Sequence, residues 1–238
     1  MARLRQLLLA VAFLTRLPVG WLLPAQVLPL GSALWAFPLV GMLIGAIAGL
    51  PILIFGSGML QAALAVGLAA WLTGALHEDA LADFADAAGG RDRETRLAIM
   101  RDSRIGSFGT MALICVTAIR IAALAHLPFA ALVGAAGVAR LMPVLMLRLM
   151  HPARADGLGH GTDRPQVPDL LAAILLGCVA LLVAPAPLMA GAAALIATLV
   201  VARRAIRMVG GHTGDVLGAA AILAETAAIC AMALISLP

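Results

Sequence analysis

The sequence predicts an all-α polytopic membrane protein organised as a single integral membrane domain, residues 1–238. Three observations carry this reading. Hydrophobic residues fill 63% of positions and the mean hydropathy is +1.06, which places the chain outside the range of soluble domains. Apolar runs of about 20 residues, enough to cross a hydrocarbon core about 30 Å thick, recur along most of the length. No alternating pattern of about ten residues accompanies them, and backbone polar groups cannot stay unpaired in lipid, so the spans are helices and not barrel strands.

The N-terminal stretch "MARLRQLLLAVAFLTRLPVG" has a basic start and an apolar centre, but Arg16 and Pro18 interrupt it and no small-residue cleavage site follows. It reads as an interfacial or re-entrant helix. About seven transmembrane helices follow, at 31–55, 58–76, 107–127, 128–150, 168–184, 186–202 and 215–237. Gly56-Ser57-Gly58, Leu127-Pro128 and Pro185-Ala186-Pro187 are tight breaks that make hairpins of the first six. The longer polar connections, 77–106, 151–167 and 203–214, then emerge on one side together with the N-terminus.

All sixteen basic residues are arginines, and that side collects them: Arg3, Arg5 and Arg16, five from Arg91 to Arg104, Arg154 and Arg164, then Arg203, Arg204 and Arg207. The positive-inside rule places the three polar loops in the cytoplasm. Arginines scattered along apolar segments and their loops do not form a nucleic-acid surface, so the net charge of +4 points to the lipid bilayer. Cys115, Cys178 and Cys230 all fall inside apolar spans and read as small core residues, with no disulfide or metal framework.

Seven of the twelve acidic residues lie between Glu78 and Asp102. On a helix continuing from 58–76, Asp79, Asp83 and Asp86 are spaced i, i+4, i+7 and share a face about 60° wide. Such a face repels itself, and a bound cation compensates. Magnesium suits hard carboxylate ligands and keeps waters and substrate phosphates in its shell. Asp92 is placed to cap a short helix through Met100. "RDSRIGSFG" (101–109) follows, with Arg101 and Arg104 flanking Asp102 and Ser103, a loop suited to phosphate through guanidinium forks and free N–H groups. Beside a carboxylate helix this makes a phosphoryl-transfer reading, because that chemistry uses both a metal and cationic clamps.

The second loop carries Arg154, Asp156, His160 and Asp163 among glycines, and the third places Thr213 and Asp215 at the entry of the last span, where Asp215 is either a helix N-cap or a further carboxylate of the site. His77, His151, His160 and His212 match no zinc spacing and suit hydrogen-bonding or interfacial roles. Within the spans, Arg120, Arg140 and Glu225 face the bundle interior on energetic grounds, and Arg140 and Glu225 sit at similar depth and can pair.

The ordered set "FLTRLPV" (13–19), "FPLVG" (37–41), "HEDALADFADAAGG" (77–90), "IMRDSRIGSFG" (99–109), "ARADGLG" (153–159) and "GGHTGDVLGA" (210–219) resembles the cobalamin synthase family, the adenosylcobinamide-GDP ribazoletransferases. The family's acidic motif reads D-G-L-A-D followed by a further aspartate and glycine; here Ala80 and Ala87 replace the glycines and the carboxylates remain. The resemblance implies a magnesium-dependent enzyme of the bacterial cytoplasmic (inner) membrane that joins adenosylcobinamide-GDP to α-ribazole or its 5′-phosphate and releases GMP. It implies catalytic carboxylates among Glu78, Asp79, Asp83 and Asp86, with Asp79, Asp83 and Asp86 holding Mg2+. Arg101, Asp102, Ser103, Arg104, Arg154, Asp156, Thr213 and Asp215 would contact substrate. Two other classes compete. Lipid phosphotransferases acting on CDP-alcohols use D-x2-D-G-x2-A-R, whereas this chain has D-x3-D-x2-D and no such arginine. A transporter would carry internal repeats and a midplane site, and the polar residues here gather in the loops.

Overall fold

The computed structural model describes residues 2–23, 29–154 and 164–236, and its helices in chain order are α1 (Ala2–Leu14), α2 (Phe37–Ala48), α3 (Leu50–Phe55), α4 (Met59–Thr73), α5 (Leu76–Asp86), α6 (Arg93–Ile99), α7 (Ser107–Leu124), α8 (Phe129–Leu149), α9 (Val167–Val183), α10 (Pro187–Val209) and α11 (Gly214–Ser236). Short 3-10 turns at Gly20–Leu22, Leu30–Ala36 and Ala87–Gly89 join them, and no strand occurs among the described residues.

Small residues decide which helices meet at the centre. Gly41 and Gly45 lie one turn apart on the side of α2 that packs on α8, with Gly49 just past its end, and a Cβ at Gly45 would stand 2.7 Å from the Leu132 carbonyl oxygen. The other side of α8 presents Gly134, where a Cβ would stand 2.8 Å from the Ala180 carbonyl of α9. Close backbone approach of this kind associates helices in lipid, where water-driven burial is missing. α8 is accordingly buried almost throughout, with α2, α9 and α11 around it. Large apolar side chains point outward from the peripheral helices, among them Leu64 and Trp71 of α4, Met111 and Ile114 of α7, Leu175 and Leu182 of α9 and Leu195 and Leu199 of α10. On a membrane helix this is the face that lipid solvates.

Among the described residues, five segments are long and apolar enough to cross a membrane: Leu30–Ala48, α7, α8, α10 and α11. A sixth is made by α4 together with Leu76–Gly89, a pair bent by 90°. The expected span 168–184 is α9, whose 17 residues extend only about 25 Å at 1.5 Å per residue. The structure thus supports five crossings, or six with the bent pair, where the sequence suggests about seven.

The turns at 56–58, 125–128 and 184–186 fall where the Gly and Pro breaks place them, and Ser57 Oγ donates to the Leu127 carbonyl at 2.7 Å to tie two of them together. The span expected over 31–55 is itself broken at Gly49 between α2 and α3. Cys115 and Cys178 are exposed on α7 and α9 and Cys230 is half-buried, so the first two are lipid-facing residues and not core. The N-terminal helix α1, 13 residues long, buries Ala10, Val11 and Leu14 and is fixed at its start by Arg3, which bonds Asp169 at 2.5 Å and stacks over Trp35.

Candidate active site

A helix running unbroken from 58–76 through the carboxylates is not what forms. α4 ends in a Schellman arrangement: Ala75 N–H donates to the Ala70 carbonyl at 2.7 Å and Gly74 N–H to that of Trp71 at 3.2 Å. Gly74 (φ 66°) and Ala75 (φ 57°) are both left-handed, and Ala75 is the single non-glycine residue with positive φ among the described residues. A side chain in this region is strained and is held only by its surroundings. Here Arg16 does that: its N–H donates to the Leu72 carbonyl at 2.7 Å and its side chain lies against Gly74. The break lets the carboxylate helix α5 turn away from α4 and pack between α7 and α11.

That redirection separates the four clustered acids into different roles. Glu78 faces inward and meets Arg120 Nη1 at 3.3 Å; Arg120 also binds Glu225, which in turn binds Arg140. Two glutamates and two arginines form a chain of zero net formal charge, with Arg120, Arg140 and Glu225 nearly fully buried. Pairing is what makes charges tolerable at this depth. The expected Arg140–Glu225 pair is present, and the part played by Arg120 as the bridge to Glu78 is what the sequence did not reveal.

Asp86 docks α5 onto the start of α7. Its two carboxylate oxygens accept from Gly106 N at 2.7 Å and Gly109 N at 2.8 Å, an anion placed at a helix N-terminus. A Cβ at Gly106 would lie 2.5 Å from Asp86 Oδ1, and one at Gly109 would lie 2.9 Å from the Ala82 carbonyl, so these glycines permit the approach.

Asp79 remains exposed at the opening between α5 and α11, and Asp83 lies half-buried one turn further along α5. Asp83 is partly buried and has the carboxylates of Asp79, Asp215 and Asp86 around it. Asp215 stands in the first turn of α11, 3.8 Å from Arg154 Nη2, and accepts from Thr213 Oγ1 at 3.3 Å. Thr213 is the residue that caps this helix, its Oγ1 accepting from Val216 N at 3.2 Å, which leaves Asp215 to the site. Asp79 and Asp215 border a cavity of about 260 Å³ whose walls are mostly apolar, with His77 and Arg140 contributing its other polar groups.

The remaining expected site residues sit on the adjoining loops. Arg104 binds Asp102 through its guanidinium (Nη2 to Oδ2, 2.6 Å) and its backbone N–H (3.0 Å), and these bonds hold the Asp102 carboxyl at about 2, well below the usual carboxylate range. Arg101 and Ser103 are exposed on the same loop. Asp156, His160 and Asp163 lie outside the described residues.

Two arginines that the sequence marks only as part of the basic run from Arg91 to Arg104 hold these loops together. Arg93 donates from Nε to the Val209 carbonyl at 2.8 Å and from Nη2 to the Ala153 carbonyl, while Arg96 reaches the carbonyls of Gly90 at 3.0 Å and Met208 at 3.3 Å. The acceptors at 208 and 209 are the terminal carbonyls of α10, which have no partners within their own helix. Ala153 N–H donates to the His212 carbonyl at 2.8 Å and His212 N–H to that of His151 at 2.9 Å, closing the second loop on the third. The i, i+3 spacing of Arg93 and Arg96 on a helix capped by Asp92, whose carboxylate accepts from Thr95 N at 2.8 Å, is the signal that could have marked them.

Residues 6–233 match the family described as Cobalamin-5-phosphate synthase. The chain belongs to that family. Relatives named adenosylcobinamide-GDP ribazoletransferase include that of Bradyrhizobium diazoefficiens, 42% identical over 89% of this chain and 86% of the relative. Those of Sinorhizobium medicae and Rhizobium etli are 40% and 41% identical, each over 94% of both chains. No solved structure matches. In this member of the family, the geometry above separates two carboxylates at a cavity mouth (Asp79, Asp215), with Asp83 one turn along α5, from acids that build the frame (Glu78, Asp86).

Proposed function

We propose that this membrane transferase joins adenosylcobinamide-GDP to α-ribazole, or its 5′-phosphate, releasing GMP and completing the nucleotide loop of the corrinoid. The observation that carries the reading is the convergence of Asp79 from α5 with Asp215, itself 3.8 Å from Arg154, at the mouth of an apolar cavity, with Asp83 one turn further along α5, in a chain of this family. A ribose hydroxyl of the ribazole attacks the cobinamide-side phosphorus of the pyrophosphate. The new P–O bond forms as the bond to the GMP phosphate breaks, and the hydroxyl proton passes to a carboxylate at the mouth. Asp79, exposed there and flanked by Asp83, is placed for that transfer. Arg154, with Arg101 and Arg104 on the neighbouring loop, supplies positive charge to the phosphates.

Mg2+ fits the donor chemistry. Among the described residues no group of three or more His, Cys, Asp or Glu is placed to hold a metal ion, but Mg2+ keeps several waters and takes only one or two carboxylates besides substrate phosphates. Asp79 and Asp83, one turn apart on α5, would hold it, with waters and substrate phosphates completing its shell. When bound, the ion would neutralise charge on the pyrophosphate oxygens. The placement of arginines on the loops supports an orientation with this end of the bundle in the cytoplasm of the bacterial inner membrane.

The test is GMP release by the purified protein in liposomes given adenosylcobinamide-GDP and α-ribazole, with and without Mg2+. Magnesium-dependent GMP with an equal yield of the joined corrinoid is expected. Well-folded protein yielding neither, in lipids that support a relative, would overturn the reading.

A further inference from the structure

The cavity at the carboxylate mouth is one the reaction as described above does not use. It lies between the Leu30–Ala36 turn, α1, α5, α8 and α11, and measures about 260 Å³. Its walls are aromatic and aliphatic, with Phe13, Phe37 and Leu147 among them, and its polar atoms are few. Two of those polar groups have unmet hydrogen-bonding capacity. His77 is 5% exposed and its Nδ1 has no partner; Arg140 is 4% exposed and, although its Nη1 binds Glu225, its Nε has none. Buried polar groups without partners are rare and each calls for an explanation.

The geometry points to this cavity as the receptor for the aromatic base of the ribazole substrate, with the sugar directed out toward Asp79 and Asp215. The inference rests on the ribazole-transfer reading and goes further by assigning the acceptor substrate to a place. Size decides between the two substrates: the volume lies at or below the lower end of pockets for drug-sized ligands, about 300 Å³. That suits a nucleoside-sized ligand and excludes a corrin macrocycle. Chemistry agrees with size. A benzimidazole is a flat, uncharged bicycle whose bare ring nitrogen is its single hydrogen-bond acceptor, and an apolar slot with a buried donor is complementary to it. Either His77 Nδ1–H or Arg140 Nε–H can serve as that donor. With the base inserted, the ribose hydroxyls emerge beside Asp79 and Asp215, where the nucleophile is required. The corrinoid then approaches from the loop side, with its pyrophosphate at the arginines.

The experiment compares wild type with Leu217→Trp, which adds bulk to a partly exposed wall of the cavity, and with His77→Phe, measuring KM separately for α-ribazole and for adenosylcobinamide-GDP in proteoliposomes. Each variant is expected to raise the α-ribazole KM by about tenfold or more, the loss of one pocket contact or more, while the KM for adenosylcobinamide-GDP changes by less than about twofold. A second measurement needs no variant: free 5,6-dimethylbenzimidazole should inhibit the wild-type protein competitively against α-ribazole and not against adenosylcobinamide-GDP. Competition against adenosylcobinamide-GDP alone, or a KM effect confined to that substrate, would overturn the assignment while leaving the transfer reaction standing. Absence of GMP from the wild type is the separate result that removes the underlying reading.

Discussion

Replacing Glu225 with glutamine is the sharpest perturbation of the frame that holds the site. Glu225 binds Arg120 and Arg140, and Arg120 also binds Glu78. The four formal charges cancel, so E225Q leaves two buried guanidinium groups facing one carboxylate, a net charge of +1. Removing one partner from a buried pair costs about 3–5 kcal/mol, because the remaining ion has lost both water and counter-charge. Arg140 is the more affected cation, since Glu225 is the one carboxylate that bonds it among the described residues, whereas Arg120 keeps Glu78. A second substitution follows from the same accounting: R140M added to E225Q restores neutrality, leaving the Glu78–Arg120 pair alone. The double variant should therefore be less destabilised than the sum of the singles, with a coupling of about 1–3 kcal/mol. Reversible unfolding in mixed detergent–lipid micelles, followed by tryptophan fluorescence, measures all three variants. E225Q within about 0.5 kcal/mol of wild type, or strict additivity in the double variant, would refute the view that this network is a single charge-balanced unit.

Other outcomes follow from the same geometry. Asp79→Asn and Asp83→Asn should each lower turnover by about a hundredfold or more with unchanged unfolding behaviour, whereas Asp86→Asn should lose about 1–3 kcal/mol of stability by weakening the bonds to Gly106 and Gly109; steady-state kinetics beside unfolding curves separate the two classes. Ala75→Gly should raise stability by up to about 1 kcal/mol, because the left-handed φ of 57° suits glycine better, and a lowered unfolding midpoint would contradict the strain assigned to that break. The Asp102–Arg104 contact should be fully formed above the ordinary carboxylate range near pH 4 and be lost as pH falls through about 2, since the folded-state value lies below the unfolded one; amide exchange at Arg104, followed from pH 5 downward, reads it directly.

The helical class, the turns near positions 57, 127 and 185 and the Asp92 cap were all legible, because each depends on a local signal: hydropathy, Gly and Pro breaks, or a side chain reaching three residues along. The Arg140–Glu225 pair was legible for another reason, since two opposite charges at similar depth in lipid have few alternatives. The bend at Gly74-Ala75 was not. Glycine there announces a possible helix end, but nothing in "GALHEDA" signals that alanine takes a left-handed conformation, which Arg16 stabilises from 58 positions earlier. That single bend redistributed the clustered acids. On an unbroken helix Asp79, Asp83 and Asp86 share one exposed face; in the fold Asp86 is spent on the start of α7 and Asp215 arrives from the far end of the chain. Glu78 reads from the sequence as one of the clustered carboxylates, and its partner Arg120 was not legible because it lies 42 positions away and only packing brings it near.

The Arg93 and Arg96 contacts have a consequence for how this sequence can drift. Their acceptors at Gly90, Ala153, Met208 and Val209 are all main-chain carbonyls, which every amino acid carries. Substitution at the last three positions can therefore proceed, limited by side-chain volume, without loosening the attachment of one loop to the next. The two arginines enjoy no such latitude. A lysine keeps the charge but lacks the planar fork that reaches two carbonyls on separate segments at once. Variation among descendants of this chain should accordingly be lopsided across the same contacts, permissive on the accepting side and narrow on the donating side.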